Sequence, residues 1–396
     1  MLRSSLASAE PARSAPEPST DPSSSPSSSP SSSQALEPRP IEQLLRLRGD
    51  LQLGLPVVLR DGPDAALVAL VETLTEARYR AMTALGSIEF ALTRRRAEAL
   101  GVRSRPGGET LRFRVPAGAD RAWLAAVAGQ GAQRPEPSDV LDAMRLPALE
   151  AAGPIQRAAI ALARTAQTVP AVLTVRLAAN AVPPGLTLMS VRAVTDALAE
   201  VRTQQHVSSA RLPLDACEAG RVHVFRPDDG GGEHYAVEIG APDPAAPVLV
   251  RLHSACFTGD VLGSLKCDCG PQLRAAMLAM GRNGGGVLLY LAQEGRGIGL
   301  ANKLRAYALQ NAGLDTVEAN HWLGFEDDQR DFRIGAELLR GLGIDRVRLM
   351  TNNPAKIDIL AGHGIEVVER VPLEAGHNAH NAHYLATKAA RSGHLL

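Results

Sequence analysis

Three of the four cysteines crowd into one short stretch, Cys256, Cys267 and Cys269, in a C-x10-C-x-C arrangement. Three soft thiolates in that spacing select zinc, and a catalytic zinc keeps three protein ligands with the fourth position left to water. Cys217 lies outside the cluster, so three ligands plus water is the preferred count, with one zinc per chain. A structural knuckle completed by Cys217 or His253, or three unconnected core cysteines, is the bland alternative. A water held in this way ionises near neutral pH and attacks an electrophilic carbon. So few cysteines fit a reducing, cytoplasmic setting better than a disulfide framework.

Two segments could meet an anion. The run Val287–Leu291 reads as a buried strand leading through Gln293-Glu-Gly-Arg-Gly-Ile-Gly-Leu300 into a helix with apolar positions Leu300, Leu304, Tyr307 and Ala308. Backbone N–H groups at such a helix start attract phosphate, Gly297 and Gly299 would let it come close, and Arg296, Lys303 and Arg305 add cations. In the second segment Val347–Thr351 is a strand, Asn353-Pro354 caps a helix, and Lys356 falls in its first turn facing the same anion as Thr351. Between them Asp327, Asp328 and Asp331 surround Arg330 ahead of a helix starting near Phe332. An acid beside an arginine can serve proton transfer and phosphate handling, though acids at a helix start are more often solvated.

The elements that position these groups follow from composition and period. At 396 residues, 45% apolar and 21% charged, the chain is an ordinary globular α/β (α+β) protein of two domains. Residues 1–40, Ser- and Pro-rich, read as a disordered tail without a secretory signal. Residues 41–199 alternate strand-like runs (Pro56–Leu59, Ile88–Leu92) with helical stretches such as Arg157–Thr168, and their Arg94-Arg-Arg96 run reads as a solvated helix start. A connector over 200–215 leads to a second domain, 216–396, expected to form a mixed sheet with flanking helices and the zinc site. Basic and acidic residues balance at 42 each, so no global field recruits nucleic acid or a membrane surface, and any anionic substrate needs a local cluster. The apolar runs fall short of the roughly 20 residues a spanning helix needs. Histidines 377, 380 and 383, three apart in an Asn-rich stretch, are expected to face solvent rather than bind a second metal.

Several of these segments occur together in the order of one family. Arg251-Leu-His-Ser-Ala-Cys-Phe-Thr-Gly-Asp260, Ser264–Gly270, Gln293–Arg296, Lys303–Leu309, Asp315–Asn320 and Thr351–Pro354 resemble GTP cyclohydrolase II over the second half of the chain. The resemblance implies that Cys256, Cys267 and Cys269 hold zinc, whose water attacks the imidazole carbon of guanine with loss of formate. It implies Arg330 as nucleophile toward the α-phosphate with release of pyrophosphate, Asp328 as proton acceptor, and Tyr307 in ring opening. Arg251, Leu252, His253, Ser254, Ala255, Gln272, Glu294, Gly295, Arg296, Thr316, Thr351 and Lys356 match positions that bind GTP. Magnesium is expected with the triphosphate, a diaminopyrimidinone ribosyl phosphate on the way to riboflavin as product, and a homodimer as the assembly. One departure is Ala255, where the family pattern His-Ser-Glu-Cys has a carboxylate. The front half resembles dihydroxybutanone phosphate synthase at Gly54–Asp61, Val71–Thr75 and Ala91–Gly101. The acid-rich loop expected after Asp61 is replaced by Gly62-Pro-Asp-Ala-Ala-Leu67, so a catalytically dead scaffold is expected there. The alternatives are a nucleotide-binding regulatory homologue without turnover and a bifunctional enzyme with a living front half.

Overall fold

The computed structural model describes residues 36–102, 107–131, 148–178 and 182–382. The expected tail therefore lies almost wholly outside the described residues, as does His383. From Arg39 onward the chain forms one compact unit built on two seven-stranded sheets. Both the mixed sheets and the flanking helices agree with the expected fold class.

The first sheet comprises β1 (Val57–Asp61), β2 (Asp64–Leu70), β3 (Ile88–Thr93), β4 (Thr110–Arg114), β5 (Glu150–Ala151), β6 (Ala171–Leu177) and β7 (Leu188–Ser190), in the order β5-β4-β3-β6-β2-β1-β7. Its pairs are antiparallel except β1 with β7. A two-residue turn, Gly62-Pro63, joins β1 to β2, with Asp61 directly opposite Asp64. Successive side chains of a strand face opposite ways, so Val57 and Leu59 join one core and Val58 the other. The first core is covered by helices Pro40–Gln52, Pro154–Thr165 and Val191–Ala199. The opposite face is covered by the front-half helices Glu76–Leu85, Arg94–Ala99 and Arg121–Ala128 and by the second half of the chain, through Ile298, Ala306, Leu309, Trp322, Leu323 and Phe325. The two halves thus share a hydrophobic core rather than meeting at a polar seam.

The second sheet contains β8 (Gln204–Arg211), β9 (Gly220–Pro227), β10 (His234–Gly240), β11 (Val248–Ser254), β12 (Gly285–Leu291), β13 (Arg346–Met350) and β14 (Glu366–Val371), in the order β14-β13-β11-β12-β10-β9-β8. The segment expected as a connector over 200–215 is largely strand β8, paired along its length with β9. Its polar, almost wholly exposed sequence hid it, because an edge strand needs no apolar face. The β14-β13-β11-β12 half is parallel; its central strands β11 and β12 are buried, whereas β14 is a largely exposed edge. Helix Cys269–Arg282 packs on one face and helices Arg333–Gly341 and Ala355–Gly362 on the other. No described helix is long and apolar enough to cross a membrane.

Arg96 corrects the solvated reading of the arginine run. It is 2% exposed, and its guanidinium donates to the carbonyls of Ala126 and Val127 in the front half and of Trp322 in the back half, at 2.7–2.8 Å. Burial lowers its pKa to about 9. Replacing Arg96 with Leu takes their side-chain donor from the Val127 and Trp322 carbonyls, while Ala126 keeps the Gly129 N–H, and is expected to cost about 3 kcal/mol, measurable as a lower urea midpoint.

Candidate active site

The thiols of Cys256, Cys267 and Cys269 lie within 4.8 Å of one another and form the one group of this kind among the described residues. Cys256 follows β11 directly, Cys269 opens the helix Cys269–Arg282, and a tight π-type turn, Phe257–Val261, closes the space between them. Gly259 sits inside that turn for a steric reason: a Cβ there would stand 2.6 Å from Cys267 Sγ and 3.1 Å from Cys256 Sγ. Cys217 stands apart, pairing through its backbone with Leu214. Three converging soft donors, two of them buried, fit a metal ion with an open fourth position.

Hydrogen bonds from Cys267 and Cys269 hold the Cys256 thiol far below its ordinary pKa, against the opposing effect of burial and with further help from Lys303. The bond to Cys256 raises Cys267 in turn. Lys303 Nζ lies 2.9 Å from Cys256 Sγ and 2.9 Å from Glu294 Oε1. Burial opposes its charge, but these two partners raise its pKa above the ordinary lysine value. Lys303 therefore attends the thiolates rather than standing as a free phosphate donor beside the glycine turn. Arg305, the other cation assigned to that turn, forms a bidentate pair with Glu72 of the front half instead.

Asp260 organises the floor of the site, a role its sequence context does not show. Its carboxylate accepts the backbone N–H of Cys256 at 3.0 Å and the Tyr290 hydroxyl at 2.9 Å, and it lies 3.1 Å from His253 Nε2. A carboxylate only accepts, so Nε2 carries the imidazole proton. His253, 3% exposed, has its pKa lowered chiefly by burial.

Above this floor opens a cleft of about 1130 Å³, its mouth included. Arg251, Leu252, His253, Ser254, Ala255, Gln272, Glu294, Gly295, Arg296, Tyr307, Thr316, Arg330, Thr351 and Lys356 all border it together with the three cysteines. Asp328 does not. It stands behind Arg330, accepting from its Nε at 2.8 Å, and although burial raises its pKa, the arginine's bonds and charge hold it below the usual carboxylate range. Of the other acids placed around Arg330, Asp331 pairs with Arg333 and Asp327 with His321.

Cations gather at one end of the cleft. Arg251, its pKa lowered to about 10 by burial, donates to Gln272 and to the Met350 carbonyl. Arg330 reaches Ser254, and Lys356 donates to the Leu252 carbonyl at 2.7 Å. The helix carrying Lys356 begins at Ala355, one residue later than expected, with Pro354 as its cap and Asn353 Oδ1 accepting from the Ala355 N–H. Toward the other end, helices Leu300–Asn311 and Thr316–Trp322 contribute Ala306, Tyr307, Gln310 and Asn320. Gln310 and Asn320 were missed, although Asn320 closes one of the motifs quoted above. Ammonium groups of Lys266 and Lys303 lie 5.4 and 5.9 Å from the Tyr307 ring centre.

The glycine turn works differently from its sequence reading. Gly295 and Arg296 both adopt left-handed backbone, which glycine tolerates and arginine adopts only under constraint. Gly297 is pressed against the Gln329 carbonyl and Gly299 against the Gln167 side chain, so protein occupies the space assigned to phosphate. Helix Leu300–Asn311 buries Asn302, Ala306 and Leu309, while Leu304, expected on the apolar face, is 49% exposed.

Residues 204–372 match the family model described as GTP cyclohydrolase II. A GTP cyclohydrolase-2 from Azospirillum brasilense is 45% identical over 347 residues, covering 85% of this chain and 89% of that protein. One from Azotobacter vinelandii is 60% identical over 175 residues, 44% of this chain and 84% of that protein. Among solved structures, a two-domain 3,4-dihydroxy-2-butanone 4-phosphate synthase from A. baumannii covers 83% of this chain and 98% of its own, at 17% identity and a TM-score of 0.29. That likeness is too low to bear on the fold.

Gly259→Ala is expected to abolish metal binding, read as metal per chain by elemental analysis, whereas Gly49→Ala, with open space at its Cβ and far from the thiols in sequence, should retain it. A second outcome concerns pH. His234 accepts the Ala292 N–H ahead of the Gln293–Arg296 turn, and burial lowers its pKa from 6.5 to about 4. The unfolded chain therefore takes up a proton that the folded chain refuses. This contribution is complete above the ordinary histidine pKa and is lost as pH falls toward 4, amounting to about 3 kcal/mol. Urea unfolding of the protein and of His234→Gln across that range should converge as the pH drops.

Proposed function

Since the chain belongs to the GTP cyclohydrolase II family, we propose that it opens the imidazole ring of GTP in a zinc-dependent hydrolysis. Formate and pyrophosphate leave, and a diaminopyrimidinone ribosyl phosphate enters riboflavin synthesis. The observation that carries this reading is one cleft with a three-thiol centre on its floor and buried cations at one end. The donor set suits zinc, a borderline-soft ion that thiolates select over magnesium or calcium. Bound there, zinc would supply a nucleophilic water at neutral pH.

The chain's own groups divide the remaining work. Arg251, Arg296, Arg330 and Lys356, with Thr351 among them, receive the triphosphate, and magnesium accompanies it to neutralise charge. Partly desolvated cations hold phosphate more strongly than exposed ones do. That leaves the part of the cleft lined by Ala306, Gln310, Thr316 and Asn320 for the base. Asp328, at hydrogen-bond range from Arg330 Nε, is the carboxylate that would receive the guanidinium proton. Arg330 would then attack the α-phosphate, and Tyr307, beside Lys303 and the thiolates, assists ring opening. Ala255 borders the cleft beside Cys256 and leaves it without the carboxylate that the family pattern has there. In the front half, the two-residue turn after Asp61 offers no loop to hold a metal and a sugar phosphate, and a scaffold role follows. A cytoplasmic homodimer completes the proposal.

Incubation of the zinc-loaded protein with GTP and magnesium is expected to release formate and pyrophosphate, and Cys267→Ala to release no formate. Binding of zinc and GTP without release would instead establish a regulatory protein. Turnover of ribulose 5-phosphate would restore the bifunctional reading.

A further inference from the structure

The helix Leu300–Asn311 carries Lys303 and Tyr307 into the cleft, and two of its polar side chains reach partners in the front half of the chain. Asn302, wholly buried, donates to the Gln167 carbonyl at 2.8 Å. Its side-chain oxygen accepts from Arg305 at 2.7 Å, and Arg305 reaches both oxygens of Glu72 at 2.8 and 3.0 Å. Glu72 in turn accepts the Val169 N–H at 3.0 Å. Gln167, two residues before Val169, holds left-handed backbone at φ 56° and rests on Gly299, the residue just before the helix. Asn302 and Arg305 flank Lys303 in sequence, so this network grips the helix on either side of the lysine that touches Cys256.

We propose that Glu72, through Arg305 and Asn302, is a positioning residue for Lys303, and that the front half works as a built-in clamp on the catalytic cleft. Three observations converge on this. A bidentate carboxylate–guanidinium pair has fixed geometry and resists rotation of the helix about its axis. The buried face of the helix, Ala306 and Leu309, belongs to the core shared with the first sheet. Gln167 occupies strained backbone, which persists only where the surroundings over-determine it. The relative from Azotobacter vinelandii matches 175 residues that make up 84% of its length, which leaves no room for an equivalent front half. A helix that is clamped within one chain here must be held there by other means, so the clamp is a feature of chains built like this one.

The inference rests on the cyclohydrolase reading, and the experiment separates the two. Formate release from GTP is measured for the full-length zinc-loaded protein and for Glu72→Ala, Glu72→Gln, Lys303→Met and the double variant Glu72→Ala/Lys303→Met. Glu72→Ala is expected to lower kcat about tenfold with KM changed less than twofold, and Glu72→Gln, which keeps one acceptor, to recover part of the loss. In the Lys303→Met background the Glu72→Ala change should have no further effect, which a merely structural role would not produce. Hydrogen exchange of the helix amides without substrate should quicken in Glu72→Ala relative to the wild type. An active wild type with unaltered kcat in Glu72→Ala, or equal losses in both backgrounds, overturns the clamp. An inactive wild type overturns the cyclohydrolase reading, and unaltered helix exchange then overturns the clamp as well.

Discussion

Holding three sulfurs side by side is the constraint on which the rest of this molecule depends. Thiolates repel one another, and burial penalises each charge. The chain answers with one ammonium, Lys303, against Cys256 Sγ, and with one residue too small to intrude, Gly259. The lysine is itself held by Glu294, whose other oxygen accepts the Phe257 N–H, so the turn after β12 and the turn after β11 are joined around the metal centre. Asp260 closes the arrangement from below by tying the Cys256 backbone to His253 and Tyr290. Moving any one of these groups changes the balance of charge at the thiols.

This arrangement sits at the carboxyl ends of parallel strands β11, β12 and β13, where open α/β sheets place their ligands. Loops leaving strands that run the same way converge on one side, which brings residues 251–256, 293–296 and 351–356 to a single cleft despite their separation in sequence. The cations then sort themselves by partner. Arg251, Arg330 and Lys356 border the cleft while bonding its walls, whereas Arg305 and Arg96 hold the two halves together. Five cations, Arg251, Arg296, Lys303, Arg330 and Lys356, thus border the cleft of a chain with no net charge.

The shared core changes the meaning of the front half. A domain joined by a linker can move freely, but burying Trp322, Phe325 and Leu309 against the first sheet makes separation costly, at roughly 25 cal/mol for each Å² of apolar surface exposed. Polar ties across that core, Thr93 to the Gly324 carbonyl and Arg96 to the Trp322 carbonyl, add direction to an otherwise non-directional attraction. The front sheet thereby fixes the helices that carry Ala306, Tyr307, Gln310 and Asn320 to the cleft.

Sequence alone determined which residues could do chemistry: the spacing of Cys256, Cys267 and Cys269, the strand–turn–helix units around residues 287–300 and 347–356, and the alternation that builds the strands. These are short-range properties, set by side-chain type and by the periods of helix and strand. Tertiary structure alone decided which partner each charged group would meet. Arg305 and Glu72 lie 233 residues apart and Arg96 and Trp322 lie 226 apart, so nothing local distinguishes these arginines from solvated ones. Asn302 lies wholly buried, and β8, expected as a connector, is a strand whose edge position carries no apolar signature. A sequence states what each side chain can offer, and only the folded chain states what stands within 3 Å to accept it.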